Sequence, residues 1–341
     1  MSSLSRFRAA LAGEAVRPVP VWLMRQAGRY LPEYRQLKEK HGFLKMVQTP
    51  ELATEITLQP IRRFDFDAAI LFSDILVIPE ALGQPYRFRE EGGIAMDFAL
   101  RNASDLQRLS AGRIEEHLHY VPAALRLLRR ELADQKALLG FTGSPFTLAS
   151  YMVEGGSSSD YAAIKTLFWE NRPLYDDLLR ILTDAIIRYG KMQAEAGIDA
   201  LQIFDSWGGV LAGPDYEEAS LRWIREIVAA LSPHVPVILF GKGLVHQAEA
   251  MAATGARVIS LDTTADLTAM RQHLSGKVTL QGNLDPLVLE TTPDITRRAV
   301  QRILDDLRDY PGHIFNLGHG IRPTAQIANV EALIETIRNA S

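Results

Sequence analysis

The sequence contains no cysteine. Disulfides, a thiolate nucleophile and any zinc or iron–sulfur centre built on thiolates are thereby excluded. An excess of charge of one sign is missing too, since 37 Lys and Arg stand against 41 Asp and Glu for a net charge of −4. That balance argues against a nucleic-acid or membrane-surface partner, and it means that an anionic ligand has to be attracted locally. No apolar run reaches the ~18 residues of a membrane span, and residues 1–17 lack the long apolar segment of a signal peptide. The expectation is a soluble, cytoplasmic protein. Low-complexity linkers and blocks of like charge are also lacking, so residues 1–341 read as a single domain. Histidines with ligand spacing are absent, because His117 and His119 would point to different faces of a helix. No metal site is expected.

What is present is an alternation. Short apolar runs occur at residues 19–24, 68–72, 137–141, 200–204, 237–240, 258–261, 278–281 and 313–317, mostly bounded by Gly, Asp, Ser or Asn. They lack polar alternation, as strands buried on both faces do in parallel sheets. Helical stretches separate them at 122–133, 173–196, 214–231, 246–254, 263–273, 293–307 and 325–339. A further helix opens at Thr49-Pro50-Glu51, an N-cap followed by proline at the first helical position. Eight strands alternating with helices predict an α/β fold, a (β/α)₈ TIM barrel with an insertion at 79–103 after the second strand, read as a hairpin or lid. Functional residues then belong just past the strand ends. Arg25, Asp74, Ser144, Asp205, Ser206, Lys242, Asp262, Asn283 and His319 stand there.

The most telling stretch is residues 19–35, VPVWLMRQAGRYLPEYR. An apolar run there hands over to Arg25, with Arg29 and Arg35 behind it. Each guanidinium is a rigid fork suited to carboxylate or phosphate. Gly28 gives the backbone room to bend, and Pro32 opens a helix. Arg25 and Arg29 would repel each other unless an anion lay between them, so the turn reads as the mouth of a site for a polyanion. Asp74, inside the apolar ILFSDILVIP, is either an N-cap or a site carboxylate. Tyr151 is either core or a group that orients a ligand, and Ser206 either an N-cap or a ligand contact. His319, between Gly318 and Gly320, suits a loop that approaches a ligand closely. Lys242 at a strand end supports a rival, a Schiff-base aldolase, which would leave the arginines without a role.

MRQAGRYLPEYR, ILFSDILVIPEALG, GSPFTLASYMVEGG, IFDSWGG, LQGNLDP and FNLGHGIRP, in that order, closely resemble the uroporphyrinogen decarboxylase family over nearly the whole chain. The resemblance implies a cofactor-free (β/α)₈ barrel, usually a homodimer, in haem and tetrapyrrole biosynthesis. Such enzymes convert the acetate arms of uroporphyrinogen III to methyl groups, giving coproporphyrinogen III and carbon dioxide. It further implies that Arg25, Gln26, Ala27, Gly28 and Arg29 form the substrate loop. Asp74 would bind pyrrole N–H groups and stabilise a cationic transition state, with Tyr151, Ser206 and His319 as further substrate contacts. Catalysis would rest on Asp74 and Arg25. A pyrrole protonated at the ring carbon bearing the arm would itself take up the electrons released with carbon dioxide, so no cofactor is required. Arg25 is the donor by analogy. A guanidinium with a pKa above ~12 is a poor general acid, and a water or another acid near Arg25 fits the role better, so the donor stays open. Two alternatives compete: a non-catalytic tetrapyrrole-binding protein, and a methyltransferase of the same superfamily, which the lack of cysteine disfavours.

Overall fold

The computed structural model describes residues 1–89, 92–274, 276 and 278–340. Its strands are β1 (Ala68–Ile70), β2 (Tyr86–Phe88), β3 (Ile94–Met96), β4 (Ala137–Gly143), β5 (Ala200–Asp205), β6 (Val237–Gly241), β7 (Val258–Leu261), β8 (Thr279–Gln281) and β9 (His313–Ile314). Seven of them form one curled sheet in the order β1-β4-β5-β6-β7-β8-β9, and every pairing is parallel. β4, β6 and β7 are buried at every position. The inner faces of the strands contribute Ile70, Leu139, Phe141, Ile238 and Phe240 to one apolar cluster, which Phe7 and Leu11 of the helix Ser3–Leu11 join. The outer faces pack against the surrounding helices in a second, larger cluster.

The first expected strand, 19–24, makes only one isolated bridge, Val21 to Phe315. Pro18 and Pro20 remove two backbone donors from it. Side chains then take the place of a neighbouring strand for three of the remaining N–H groups. Val21 N–H donates to Asp67 Oδ2 at 2.9 Å, Leu23 N–H to Gln26 Oε1 at 3.0 Å, and Met24 N–H to Asn316 Oδ1 at 2.9 Å. The segment nevertheless lies between the two edges of the sheet. It bonds through Trp22 N–H to the Phe315 carbonyl at 3.3 Å, and through its Val21 carbonyl to Asp67 N–H at 2.9 Å.

Local punctuation predicts several helix starts correctly. Pro32 and Pro50 both occupy the first helical position, although the Thr49 side chain makes no capping bond. The helix expected at 263–273 instead begins at Leu267, where the Asp266 side chain accepts from Thr268 and Ala269 N–H (2.9 and 3.1 Å); Asp262 accepts from Thr264 N–H and Oγ1 (2.9 and 2.6 Å) in the turn before it. The stretch 214–231 is helical but contains a π-helical turn at Glu217–Leu221. Within 79–103, β2 and β3 form an antiparallel hairpin, tied by an Ala95–Gly156 bridge to the loop after the helix Pro145–Glu154; Glu90 and Glu91 lie outside the described residues.

Candidate functional site

At the end of the 19–24 segment the chain makes a tight turn, closed by Gln26 N–H on the Leu23 carbonyl at 2.9 Å. Arg25 occupies the left-handed region in this turn, with φ 64°, a conformation that costs a residue other than glycine about 1 kcal/mol or more. Two glycines make room for it. A Cβ on Gly28 would lie 2.8 Å from the Arg25 carbonyl oxygen, and one on Gly320 would lie 2.4 Å from Arg25 Cδ. The arginine stem therefore runs over the His319 loop, which Ile321 N–H fastens to the Met24 carbonyl at 2.8 Å.

Arg25 and Arg29 are exposed, and among the described residues neither has a carboxylate in ion-pair range. Arg35 differs: its Nη1 donates to the Arg29 and Tyr30 carbonyls (3.0 and 3.4 Å), so it braces the loop backbone. Gln26 is fully buried, with Oε1 on Leu23 N–H and Nε2 on the Ala68 carbonyl (both 3.0 Å). Its side chain serves the fold, and only its backbone is left to face a ligand. Ala27 and Gly28 are partly buried beside it.

Asp74 follows β1 and is partly buried. Its Oδ1 accepts from Leu76 N–H at 2.8 Å in a local turn and does not cap a helix, since the helix Val77–Ala81 has Leu76 at its N-cap and no side-chain capping bond. Among the described residues no side chain pairs with the carboxylate. Burial pushes it up to about 6, against the pull of the Leu76 N–H and of the Arg25 guanidinium. Tyr151 stands partly buried on the helix Pro145–Glu154, and burial together with the Asp74 charge pushes its phenol up. His319 is pushed down to about 4 by burial, then by the Arg25 and Lys242 cations, so it is neutral near pH 7. These mutual influences bring Arg25, Asp74, Tyr151 and His319 together. Arg29 lies farther out, its charge acting on Tyr34. Ser206 is partly exposed at the end of β5 and, among the described residues, makes no hydrogen bond, so it is not an N-cap.

Aromatic residues that sequence reasoning passed over line the same region. Trp207 meets Tyr151 edge-on at 6.2 Å and Tyr161 at 5.0 Å, and Lys242 Nζ sits 5.2 Å from its ring centre. Phe204 is the one residue of β5 that is not fully buried. It touches Phe240 edge-on at 5.9 Å, and Phe240 meets His319 at 6.2 Å. The available signal was the bulk of Phe204, next to Asp205 at a strand end.

Four of the polar strand ends hold loops together. Ser144 caps the helix Pro145–Glu154 through Thr147 N–H and donates to Asp205 at 2.8 Å. Asp205 also accepts from Thr147 and Ser220 (3.2 and 3.0 Å). Asp262 accepts from Gly243 N–H, and Asn283 donates to the Asp262 and Ala265 carbonyls (2.7 and 2.9 Å). Among the described residues no group of three or more His, Asp or Glu is placed to hold a metal ion, and no helix is long and apolar enough to cross a membrane.

A curled parallel sheet that, among the described residues, carries unpaired polar groups at the carboxyl ends of its strands defines an α/β protein with a candidate ligand site on that rim. A family profile described as uroporphyrinogen decarboxylase (URO-D) matches residues 2–340. The uroporphyrinogen decarboxylase of Alkalilimnicola ehrlichii is 47% identical over 98% of this chain and 94% of its own. That of Methylococcus capsulatus is 45% identical over 98% of this chain and 97% of its own. Among solved structures, a methyltransferase from Methanosarcina mazei superposes with a TM-score of 0.79 at 20% identity, covering 99% of this chain and 98% of its own, a likeness of fold alone. The chain belongs to the uroporphyrinogen decarboxylase family.

Proposed function

We propose that the protein is a carboxy-lyase of tetrapyrrole biosynthesis that converts the acetate arms of uroporphyrinogen III to methyl groups, releasing carbon dioxide and coproporphyrinogen III. Relatives of that name, 45–47% identical over 98% of the chain, support the reaction. The observation that carries its assignment to this rim is Asp74, a desolvated carboxylate with no side-chain partner that lies within electrostatic reach of an unpaired Arg25. Such a pairing suits a flexible macrocycle with inward N–H groups and a rim of carboxylates.

In this reading Arg25 and Arg29 grip the peripheral carboxylates, and the backbone from Gln26 to Gly28 shapes the loop. Asp74 faces the pyrrole N–H groups, while Tyr151, Ser206 and neutral His319 contact the guest. The proton has to enter at the ring carbon beside the one that bears the arm. Protonating the arm-bearing carbon itself would saturate it and leave no orbital for the departing pair. With the neighbouring carbon protonated, the ring is a cation next to Asp74. The bond to the carboxylate breaks, the pair forms an exocyclic double bond, and a second proton converts that carbon to methyl as the ring carbon gives up its own. Asp74 opposes the transient cation in a dry setting, an effect of about 3 kcal/mol for one well-placed group. The pyrrole is its own electron sink, so no cofactor is invoked. The 19–24 segment, bonded to Phe315 and Asp67, supports closure of the sheet into an eight-membered barrel spanning residues 1–341 as one catalytic domain. A cytoplasmic homodimer completes the reading, and sedimentation of the purified protein tests the dimer.

An anaerobic incubation with uroporphyrinogen III, following carbon dioxide and the stepwise loss of carboxyls, tests the function. Progression to the four-carboxyl product is the expected result. Tight binding without carbon dioxide release would instead make the protein a tetrapyrrole carrier.

A further inference from the structure

Lys242, the cation just past β6, has no part in the reaction proposed above. Its N–H donates to the Asp205 carbonyl at 3.3 Å, so the β5–β6 pairing, in register at Asp205 and Gly241, carries on to it. Side chains two apart on a strand share a face. Phe240 points inward, within the inner cluster, and its ring meets His319 at 6.2 Å. A Cβ on Gly241 would point the other way, 2.9 Å from Leu244 Cδ1 and Met251 Cε of the outer cluster. Lys242 therefore lies on the inner side of the rim, with Phe240. The loop after β5 holds it there. A Cβ on Gly209 would lie 2.3 Å from the Lys242 carbonyl oxygen, and the Trp207 ring centre stands 5.2 Å from Nζ. Trp207 is itself fixed by its N–H on Thr147 Oγ1 at 3.3 Å.

An acid stands at the end of each neighbouring strand, yet neither takes the ammonium. Asp205 accepts on Oδ1 from the Ser144 and Thr147 hydroxyls (2.8 and 3.2 Å) and on Oδ2 from Ser220 (3.0 Å). Asp262 accepts on Oδ1 from Thr264 N–H and Oγ1 (2.9 and 2.6 Å) and on Oδ2 from Gly243 N–H. Lys242 is exposed, and among the described residues its Nζ makes no hydrogen bond or ion pair. The contact with the Trp207 face leaves the three N–H donors of the ammonium free.

Strand order sets Lys242 across the rim from the arginines. The 19–24 segment lies between the β9 and β1 edges, bonded to Phe315 and Asp67. From that segment β6 is the fourth place in either direction, through β1, β4 and β5 or through β9, β8 and β7. Arg25 and Lys242 thus bracket the rim from opposite sides, and both cations bear on His319.

We propose that Lys242 is a further substrate-binding residue, gripping a carboxylate arm of the guest on the side away from Arg25 and Arg29. The inference rests on the function proposed above. A macrocycle with carboxylates all round presents arms to both sides at once, whereas a ligand with one acidic end would need only the arginine turn. An ammonium is a point charge without a planar fork to match, so it accepts a shorter or a longer arm alike as successive arms are brought to Asp74. Uroporphyrinogen offers no aldehyde or ketone, so a Schiff base has nothing to form on at this lysine.

The test compares wild type with Lys242→Met and Lys242→Arg on uroporphyrinogen III under anaerobic conditions, by kinetics and by equilibrium dialysis. Lys242→Met raises KM and Kd roughly tenfold, the scale of one charge-assisted hydrogen bond, and most of its loss falls on KM rather than kcat. Its KM also depends less steeply on salt, because one screened charge is gone. Lys242→Arg restores both constants most of the way. Melting temperatures check the fold, and Lys242→Gln takes the place of Lys242→Met if the latter melts early. A folded neutral variant with wild-type KM and salt dependence would overturn the grip. So would a fall in kcat with KM unchanged, or a Lys242→Arg protein as weak as Lys242→Met. Absence of carbon dioxide release by the wild type would instead overturn the function, while dialysis, which needs no turnover, would still read the contribution of Lys242.

Discussion

The two rims of the sheet treat charge in opposite ways. At the amino end, Asp67 is fully buried and saturated. It holds Arg6 at 2.6 Å, Arg338 at 2.7 Å and the Val21 N–H at 2.9 Å. Asp199 does the same with Arg8, Arg129 and the Leu138 N–H (2.7, 3.2 and 2.8 Å). At the carboxyl end, among the described residues, Arg25, Arg29 and Lys242 have no acidic partner, and Asp74 has no cationic one within bonding distance. A buried acid clasped by two arginines is finished, and removing it leaves charges stranded. Under the proposed function, a desolvated acid within reach of the unpaired Arg25 is completed by the guest. The contrast separates residues that hold the fold from residues that the proposed function assigns to a guest.

The largest expected effect breaks the closed rim. Asp67→Ala strands Arg6 and Arg338 and costs about 3–5 kcal/mol of folding stability in denaturant titrations, while turnover per folded molecule is unchanged. At the open rim, Asp74→Asn reverses that pattern. Stability at neutral pH is retained, and kcat on uroporphyrinogen III falls about 10²–10³-fold. Arg29→Ala removes one charged fork from the mouth and raises KM roughly tenfold, the scale of one charge-assisted hydrogen bond; an unchanged KM places Arg29 outside the pocket.

The smallest effect sharpens the comparison, as pH slopes of at most about 1.4 kcal/mol per unit. For Asp67, burial alone would raise the carboxyl, but Arg338, the Val21 N–H and Arg6 hold it below its usual 3.8. Its stabilisation is present above 3.8 and is lost as pH falls from there through the lower folded value. Asp74 has the opposite sign. Raised to about 6, its charge weighs against the guest-free fold above that pH, and the penalty is relieved as pH falls from 6 towards 3.8. Denaturant titrations across pH should therefore find that Asp74→Asn flattens the profile between about 4 and 6, and that Asp67→Asn flattens it only below 4.

The sequence shows more of the sheet than of the site. β1 and β4 to β9 each coincide with an apolar run, β4, β5 and β6 running one or two residues past its end, because a strand buried on both faces has no alternative composition. The 19–24 segment has the same composition and makes a single bridge, since Asp67, Gln26 and Asn316 satisfy its N–H groups from 3 to 292 residues away. Helix starts at Pro32 and Pro50 are legible because proline acts locally; the start at Leu267 has a local signal as well, Asp266 capping Thr268 and Ala269 N–H, which the apolar periodicity alone passed over. Among polar strand ends, FSD at Asp74 and FDS at Asp205 look alike. What separates them is Ser144, Thr147 and Ser220 closing around Asp205, a tertiary fact.

Arg25 and Arg29 ride on the segment that joins the two edges of the sheet, with Phe315 on one side and Asp67 on the other. That seam draws on partners as far apart in sequence as Asp67 and Phe315, so it is sewn only when the C-terminal strand has arrived. A truncated or half-assembled molecule therefore presents no organised pair of guanidiniums. Maturation and competence become a single event.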